Sequence, residues 1–224
     1  MHTNLWSRIA VTQPVNSKLK TEVEFQNRWQ NDGTVNSNTT FDTKLMSSLR
    51  FWTHYQFNDK LSFLISPFAY YENDPMINKE SDKTKKSSYE NRYAVALEFN
   101  QKLTDKLKLQ SRTGIEYRDF KNTAPDYFRC REKLSLKYNF NTKFAVLGYD
   151  EILINTTNSN GLHNFDQNRL GFSLIYNPIT MLKLELGYMK IERSQKSISG
   201  LLKENDIVVN CYYTLPNKKL KKQK

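Results

Sequence analysis

The sequence predicts an all-β fold: a transmembrane, up-and-down antiparallel β-barrel of 10 to 12 strands, with short periplasmic turns and longer extracellular loops. Three observations carry that expectation. Apolar and charged side chains alternate with a period of two along most of the chain, the signature of a strand with two unlike faces. Short and long connections alternate strictly. Aromatic residues collect at the strand ends, with Leu, Val and Ile between them.

Composition alone points elsewhere. The 224 residues carry 34 Lys and Arg against 23 Asp and Glu, a net charge of +11, with 38% hydrophobic residues and a mean hydropathy of −0.72. Those values suit a soluble basic domain. Disorder is excluded by 13% aromatic content, too much apolar surface to leave in water. A helical membrane protein is excluded because no run reaches the roughly 18 to 20 apolar residues of a spanning helix. A membrane barrel passes both tests, since every second residue of its strands is free to be polar.

The elements follow in order. A first strand is expected over residues 5–15. Over 19–30, Leu19, Thr21, Val23, Phe25, Asn27 and Trp29 alternate with Lys20, Glu22, Glu24, Gln26, Arg28 and Gln30. Residues 41–57 repeat the pattern at greater length, and 89–99, 107–117, 128–140 and 170–176 continue it. Leu182, Leu184, Leu186 and Tyr188, then Ile207, Val209, Cys211 and Tyr213, complete the series. Eleven strands are readable, many of about 10 to 15 residues, near or above the 9 to 11 that a tilted strand needs to cross a bilayer. Residues 145–154 mix both faces and their register is not readable.

The connections hold a second regularity. A hydrophobe followed by Asn recurs at Val15-Asn16, Phe57-Asn58, Phe99-Asn100, Phe140-Asn141 and Tyr176-Asn177, with a relative at Leu215-Pro216-Asn217; the Asn spacings are 42, 42, 41, 36 and 40. Asn tolerates the left-handed conformation and nucleates tight turns. Longer polar stretches, 31–40, 74–88, 119–127, 155–165 and 193–203, fall between them, so one rim carries short turns and the other long loops. A propeller has a similar period but needs four strands per unit, and two are available here.

Alternation does not say which face is inside. A soluble lipocalin-like barrel lines its calyx with apolar side chains, and a membrane barrel inverts the arrangement. The aromatics favour inversion: Trp29, Tyr55, Phe57, Tyr71, Phe99, Tyr117, Tyr138, Phe140, Tyr176, Tyr188 and Tyr213 are expected to form girdles at the two interfaces. The lumen is then lined by Lys20, Glu22, Glu24, Arg28, Lys44, Arg50, His54, Arg92, Glu98, Arg112, Glu116, Arg131, Lys133, Arg169, Lys183 and Glu185, with Glu90, Lys108, Arg118 and Lys137 on the same face. Such residues either interlock to brace a small barrel or line a passage, which their excess of cations would make anion-favouring.

The run 18–32, with Trp6 near the start, Phe99-Asn100-Gln101-Lys102-Leu103, and the strand openings Glu90-Asn91-Arg92 and Gln167-Asn168-Arg169, resembles the bacterial outer-membrane proteins grouped as domain of unknown function family 2490. The resemblance spans essentially the whole chain. It implies one barrel with Lys-Leu-Asn-Lys-type turns and no catalytic or ligand residues. The end departs from the usual terminal aromatic, with a Lys-rich tail instead. The organisation expected is an N-terminal extension over 1–4, one barrel over 5–215 and a basic tail over 216–224. Single-chain bacterial barrels have even strand counts, so the eleven readable strands imply ten, with 5–15 apart, or twelve, with one unseen.

Chemistry is sparse. The histidines are His2, His54 and His163; His54 stands six residues from Ser48 on one face, about 20 Å along a strand, too far for a Ser–His pair. Acidic residues Glu72, Asp74, Glu80 and Asp82 lack the spacing of a calcium loop. Cys130 and Cys211, 81 residues apart and both on the apolar face, read as free thiols with no metal site. No cofactor, metal or catalytic group is expected. The partners expected are outer-membrane lipid and lipopolysaccharide, with other envelope proteins, and no nucleic acid; the basic tail suits headgroups or peptidoglycan. The location expected is the outer membrane of a Gram-negative bacterium, although residues 1–6 show no signal peptide. The role expected is a non-enzymatic structural component or accessory subunit of an envelope complex, with a narrow anion-favouring pore and a soluble ligand-binding barrel as alternatives.

Overall fold

The computed structural model describes residues 2–32, 34, 41–121, 125–156, 164–194 and 200–216. Eleven strands close one barrel: β1 (His2–Pro14), β2 (Leu19–Gln30), β3 (Thr43–Gln56), β4 (Leu61–Asn73), β5 (Ser88–Lys102), β6 (Leu107–Phe120), β7 (Tyr127–Asn139), β8 (Phe144–Asn155), β9 (Phe165–Ile179), β10 (Leu182–Ser194) and β11 (Leu201–Thr214). Each strand pairs antiparallel with its neighbours in sequence, and β1 closes the ring against β11. Among the described residues the helical content is one 3-10 turn, Glu80–Asp82. The expected all-β, up-and-down barrel is therefore the fold.

The parity expectation is overturned. The count is neither ten nor twelve, because β1 and β11 pair in parallel, from His2 opposite Glu204 to Thr12 opposite Thr214. An up-and-down chain with an odd number of strands brings its first and last strands together pointing the same way. A parallel ladder closes them, and closure still leaves no unpaired edge. β1 begins at His2 and so takes in residues 2–4, which the sequence reading leaves outside the barrel.

Short connections, 15–18, 57–60, 103–106, 140–143 and 180–181, share one rim, and the longer ones share the other. The Asn repeat has a direct mechanism at three of them. Asn16 Oδ1 accepts from the backbone N–H of Lys18 and Leu19 at 2.8 and 2.9 Å, and Asn58 and Asn141 do the same for the residues two and three ahead. At the turn after β5, Thr104 Oγ1 takes that role. Asn100 and Asn177 instead lie within β5 and β9, their N–H groups bonded across the ladder to Lys60 and Lys143. The tail 217–224 and His163 lie outside the described residues.

Candidate functional site

The barrel wall sorts its side chains by face. All eleven strands put large hydrophobics on the outside, among them Leu97, Leu134, Leu170, Phe172 and Leu186, each at least half exposed. The inside holds Arg50, Glu90, Glu116, Arg129, Glu151, Glu185, Glu204 and Asp206, all buried. A water-soluble barrel would do the reverse.

On one side of the lumen these charges interlock. Glu116 on β6 is fully buried, with Arg50 Nη2 at 2.6 Å on one oxygen and Arg129 Nη2 at 2.5 Å on the other. Arg92 and Arg131 stand 3.7 Å from it. The lattice extends both ways: Glu90 holds Arg92 at 2.6 Å and Arg118 at 2.7 Å, and Glu151 holds Arg131 at 2.6 Å and Arg169 at 3.0 Å. Asp166 adds a second carboxylate to Arg129. Each arginine fork spans two strands, so the lattice ties β3 and β5 through β9 across the lumen. Charge-assisted bonds of this kind are the strong class of hydrogen bond, and burial makes each partner depend on the others.

The opposite side, built by β1, β2, β10 and β11, pairs its cations more sparsely. Arg8 reaches Glu24 at 3.3 Å, and Arg193 reaches Glu204 at 2.7 Å. Asn4 donates to both Glu204 and Asp206 at 2.9 Å. Aromatic faces take the place of carboxylates elsewhere: Lys133 lies 3.9 Å over Tyr149, Lys183 lies 3.5 Å over Tyr212, and Arg28 lies 3.3 Å over Trp6. Gly171 leaves room for Tyr149, since a Cβ there would sit 2.2 Å from the ring.

Cavities in the lumen, among the described residues, include two that bear on function. The larger, about 250 Å³, is lined by eleven Arg and Lys side chains, including Arg8, Arg28, Arg50, Arg112 and Arg193, against five carboxylates: Glu24, Glu116, Glu151, Asp166 and Glu185. The second, about 220 Å³, lies at the short-turn rim among Lys20, His54, Ser62 and Glu98. Arg112 lines one and Glu98 the other, and they are joined by bonds of 2.5 and 3.0 Å. That ion pair links a residue lining one space to a residue lining the other.

At the long-loop rim, residues 74–87 fold onto β1 and β2. Gln30 donates to Pro75 O at 2.8 Å and accepts from Ile77 N–H at 3.0 Å, and Lys83 pairs with Asp32 at 2.8 Å. The Lys83 ammonium and Thr34 hold the Asp32 carboxyl down at about 2. Asp82 is held at about 2 by Lys85 and by the N–H groups of Asn78 and Lys79.

Most of the sequence-assigned lumen residues face inward: Glu24, Arg28, Arg50, Arg92, Glu116, Arg169 and Glu185 are buried. Glu22, His54, Glu98, Arg112, Arg131, Lys133 and Lys183 are half-buried, and Lys20 is exposed at the short-turn rim. Lys44 is a correction. A bulge opposite Arg28 and Trp29 pairs Lys44 with Trp29, turning it to the outer face, where it bridges Glu72 at 3.0 Å and Asp74 at 3.4 Å. Tyr71 is the other. A β4 irregularity between Ser66 and Ala69, at Pro67, shifts the alternation by one residue. Tyr71 is therefore buried in the lumen under Arg92, whose guanidinium sits 3.6 Å from its ring, and not in a girdle. The remaining girdle residues face outward: Tyr55, Phe57, Phe99, Tyr138, Phe140, Tyr176 and Tyr188 are exposed, and Trp29, Tyr117 and Tyr213 are half-buried.

Sequence reasoning missed Arg8, Arg129, Glu151, Asp166, Arg193, Glu204 and Asp206. Arg129 shares parity with Arg131 and was findable. Glu151 was hidden because β8 points Leu147, Tyr149 and Leu153 inward and Asp150 outward, the reverse of the usual code. Two carboxylates break the outer belt. Glu132 on β7 accepts from Ser111 at 2.7 Å and from Thr113, and Asp150 on β8 accepts from Asn168 at 2.6 Å. Each lies mid-strand, Glu132 following Cys130 and Asp150 preceding Ile152 on the outer face. Cys130 and Cys211 are free and lie on outward positions of β7 and β11.

A family model described as a protein of unknown function, DUF2490, matches residues 3–198. An anion-selective porin from Comamonas acidovorans is a structural neighbour at 9% identity and a TM-score of 0.39, over 85% of this chain and 54% of the porin. The chain thus spans about half the length of that porin. No curated protein matches the sequence.

Proposed function

The chain belongs to the DUF2490 family of proteins of unknown function, and from that premise we propose that it is an integral outer-membrane β-barrel whose charged lumen braces the wall, serving as a non-enzymatic structural or accessory component of the cell envelope. One observation carries the membrane reading: the wall is inside out, with a ring of exposed hydrophobics, interrupted mid-strand by Glu132 and Asp150, around buried arginines and carboxylates. Soluble monomers rarely expose contiguous apolar patches beyond a few hundred Å². In lipid the same belt is the favoured surface, and a closed ladder satisfies the backbone.

Glu132 and Asp150 support the accessory role. Mid-span carboxylates facing lipid alone are unfavourable, whereas a cationic or hydrogen-bonding side chain of a neighbouring membrane protein would meet them favourably. A second reading, a narrow anion-favouring passage, draws support from the eleven cations against five carboxylates around the larger cavity. The test is extraction and refolding of the full chain. The proposal expects recovery from the outer-membrane fraction with detergent, as a band whose mobility changes on heating. A monodisperse monomer in buffer without detergent would overturn it. Discrete conductance in planar bilayers would favour the passage over the braced wall.

A further inference from the structure

Arg28 is the exception among the lumen's arginines. It lies on β2 directly opposite Trp6 of β1, and its guanidinium stacks on that indole at 3.3 Å. It is only 8% exposed and lines the larger cavity. Every other arginine named in the lumen lattice has a carboxylate within 4 Å; among the described residues none stands that close to Arg28. Asp206 and Glu204 act on Arg28 only from beyond that distance, so this buried cation lacks a carboxylate in contact, and the indole face offsets only part of the cost of burying it.

Stacking also fixes the orientation. With its face against Trp6, the guanidinium offers its donors only along its edge, the geometry that grips two oxygens of one oxyanion. Arg169 from β9 reaches the same indole at 5.1 Å, held in place by Glu151 at 3.0 Å and by Gln167 at 3.2 Å. Arg193 and Asn210 line the same cavity. The space, about 250 Å³, lies below the roughly 300 to 1,000 Å³ of sites that enclose drug-sized ligands. It suits one small anion and excludes a nucleotide or an oligosaccharide.

We propose that Arg28, oriented by Trp6 and seconded by Arg169, forms an oxyanion-binding site in the lumen that takes the phosphate or carboxylate group of a small solute. The site uses the lumen alone, so it stands whether or not the barrel conducts or has a protein partner. Its failure is separable from failure of the membrane reading, which fractionation decides without any ligand.

The test uses the full chain folded in detergent micelles, titrated at constant ionic strength with inorganic phosphate and separately with succinate. Binding is followed by calorimetry and by tryptophan fluorescence. Saturable binding of either anion with a change in indole emission is expected, and which anion binds tighter identifies the group recognised. Arg28→Met should weaken binding at least about tenfold, the scale of losing one charge-assisted pair, while the barrel keeps its heat-dependent mobility. Arg28→Lys, which keeps the charge but not the fork, should bind measurably weaker than wild type, and it decides the matter if the Met variant does not fold. Lys20→Met, at the far rim, should bind as wild type does. No saturation with either anion, equal competition by chloride, or undiminished affinity in a folded Arg28 variant would overturn the proposal.

Discussion

Glu116 and Arg28 lie in one lumen, both buried and both charged, yet their surroundings are opposite. Glu116 is over-supplied, with two guanidiniums in contact and two more at 3.7 Å. Arg28 has no counter-charge within 4 Å and rests on an aromatic face. The contrast shows that interior charge does two kinds of work here. Where a carboxylate gathers forks from several strands, the charge is a brace holding the wall. Where the fork is left open toward a cavity, the charge is available to something the chain does not supply.

The comparison breaks first at the brace. Glu116→Gln removes the anion that Arg50 and Arg129 share, leaving the buried Arg50 without a carboxylate and Arg129 with Asp166 alone. The expected loss is about 3 to 5 kcal/mol, read as a fall in the urea midpoint of the barrel refolded into vesicles. A loss below about 1 kcal/mol would show that the lattice is ornamental to stability. Arg28→Met should act the other way round, leaving the same midpoint unchanged or raised, because it removes a buried cation with no carboxylate in contact together with its cation–π contact.

On the outer wall the same logic applies with its sign reversed. Glu132→Leu takes a carboxylate off the apolar face and should stabilise the lone barrel in vesicles by about 1 kcal/mol. Destabilisation would mean that its bonds to Ser111 and Thr113 outweigh its exposure. The smallest effect is expected at the long-loop rim. Asp32 and Asp82 have folded values depressed from 3.8 to about 2, so their contribution is complete above the unfolded value and is lost as pH falls through 2. Protease resistance of residues 74–87 should be flat from pH 8 to pH 5 and decline only below about pH 4.

Much of this was legible in the order of the residues. The stretch from Leu19 to Gln30 states both faces of the wall outright, and with its relatives it gave the inverted barrel and most of its lumen. What was hidden depends on events between strands. Lys44 and Tyr71 changed sides because bulges at Leu45 and Pro67 shift the alternation by one residue, and a bulge is a property of a strand pair. The odd strand count was readable, but its parallel closure was not, since nothing local marks where a first strand meets a last. The open fork of Arg28 was invisible for a similar reason: its sequence position matches that of Glu24 and Gln26 on the same face, and only the surrounding strands show which charges have partners.

The account rests on the wall being inside out in a lipid setting, and the two native thiols report on it without any substitution. Nitroxide labels on Cys130 and Cys211, in barrel refolded into lipid vesicles, should collide with oxygen far more often than with a water-soluble nickel complex, because both positions face outward from the belt. Labels that collide preferentially with the nickel complex would place that face in water and contradict the account.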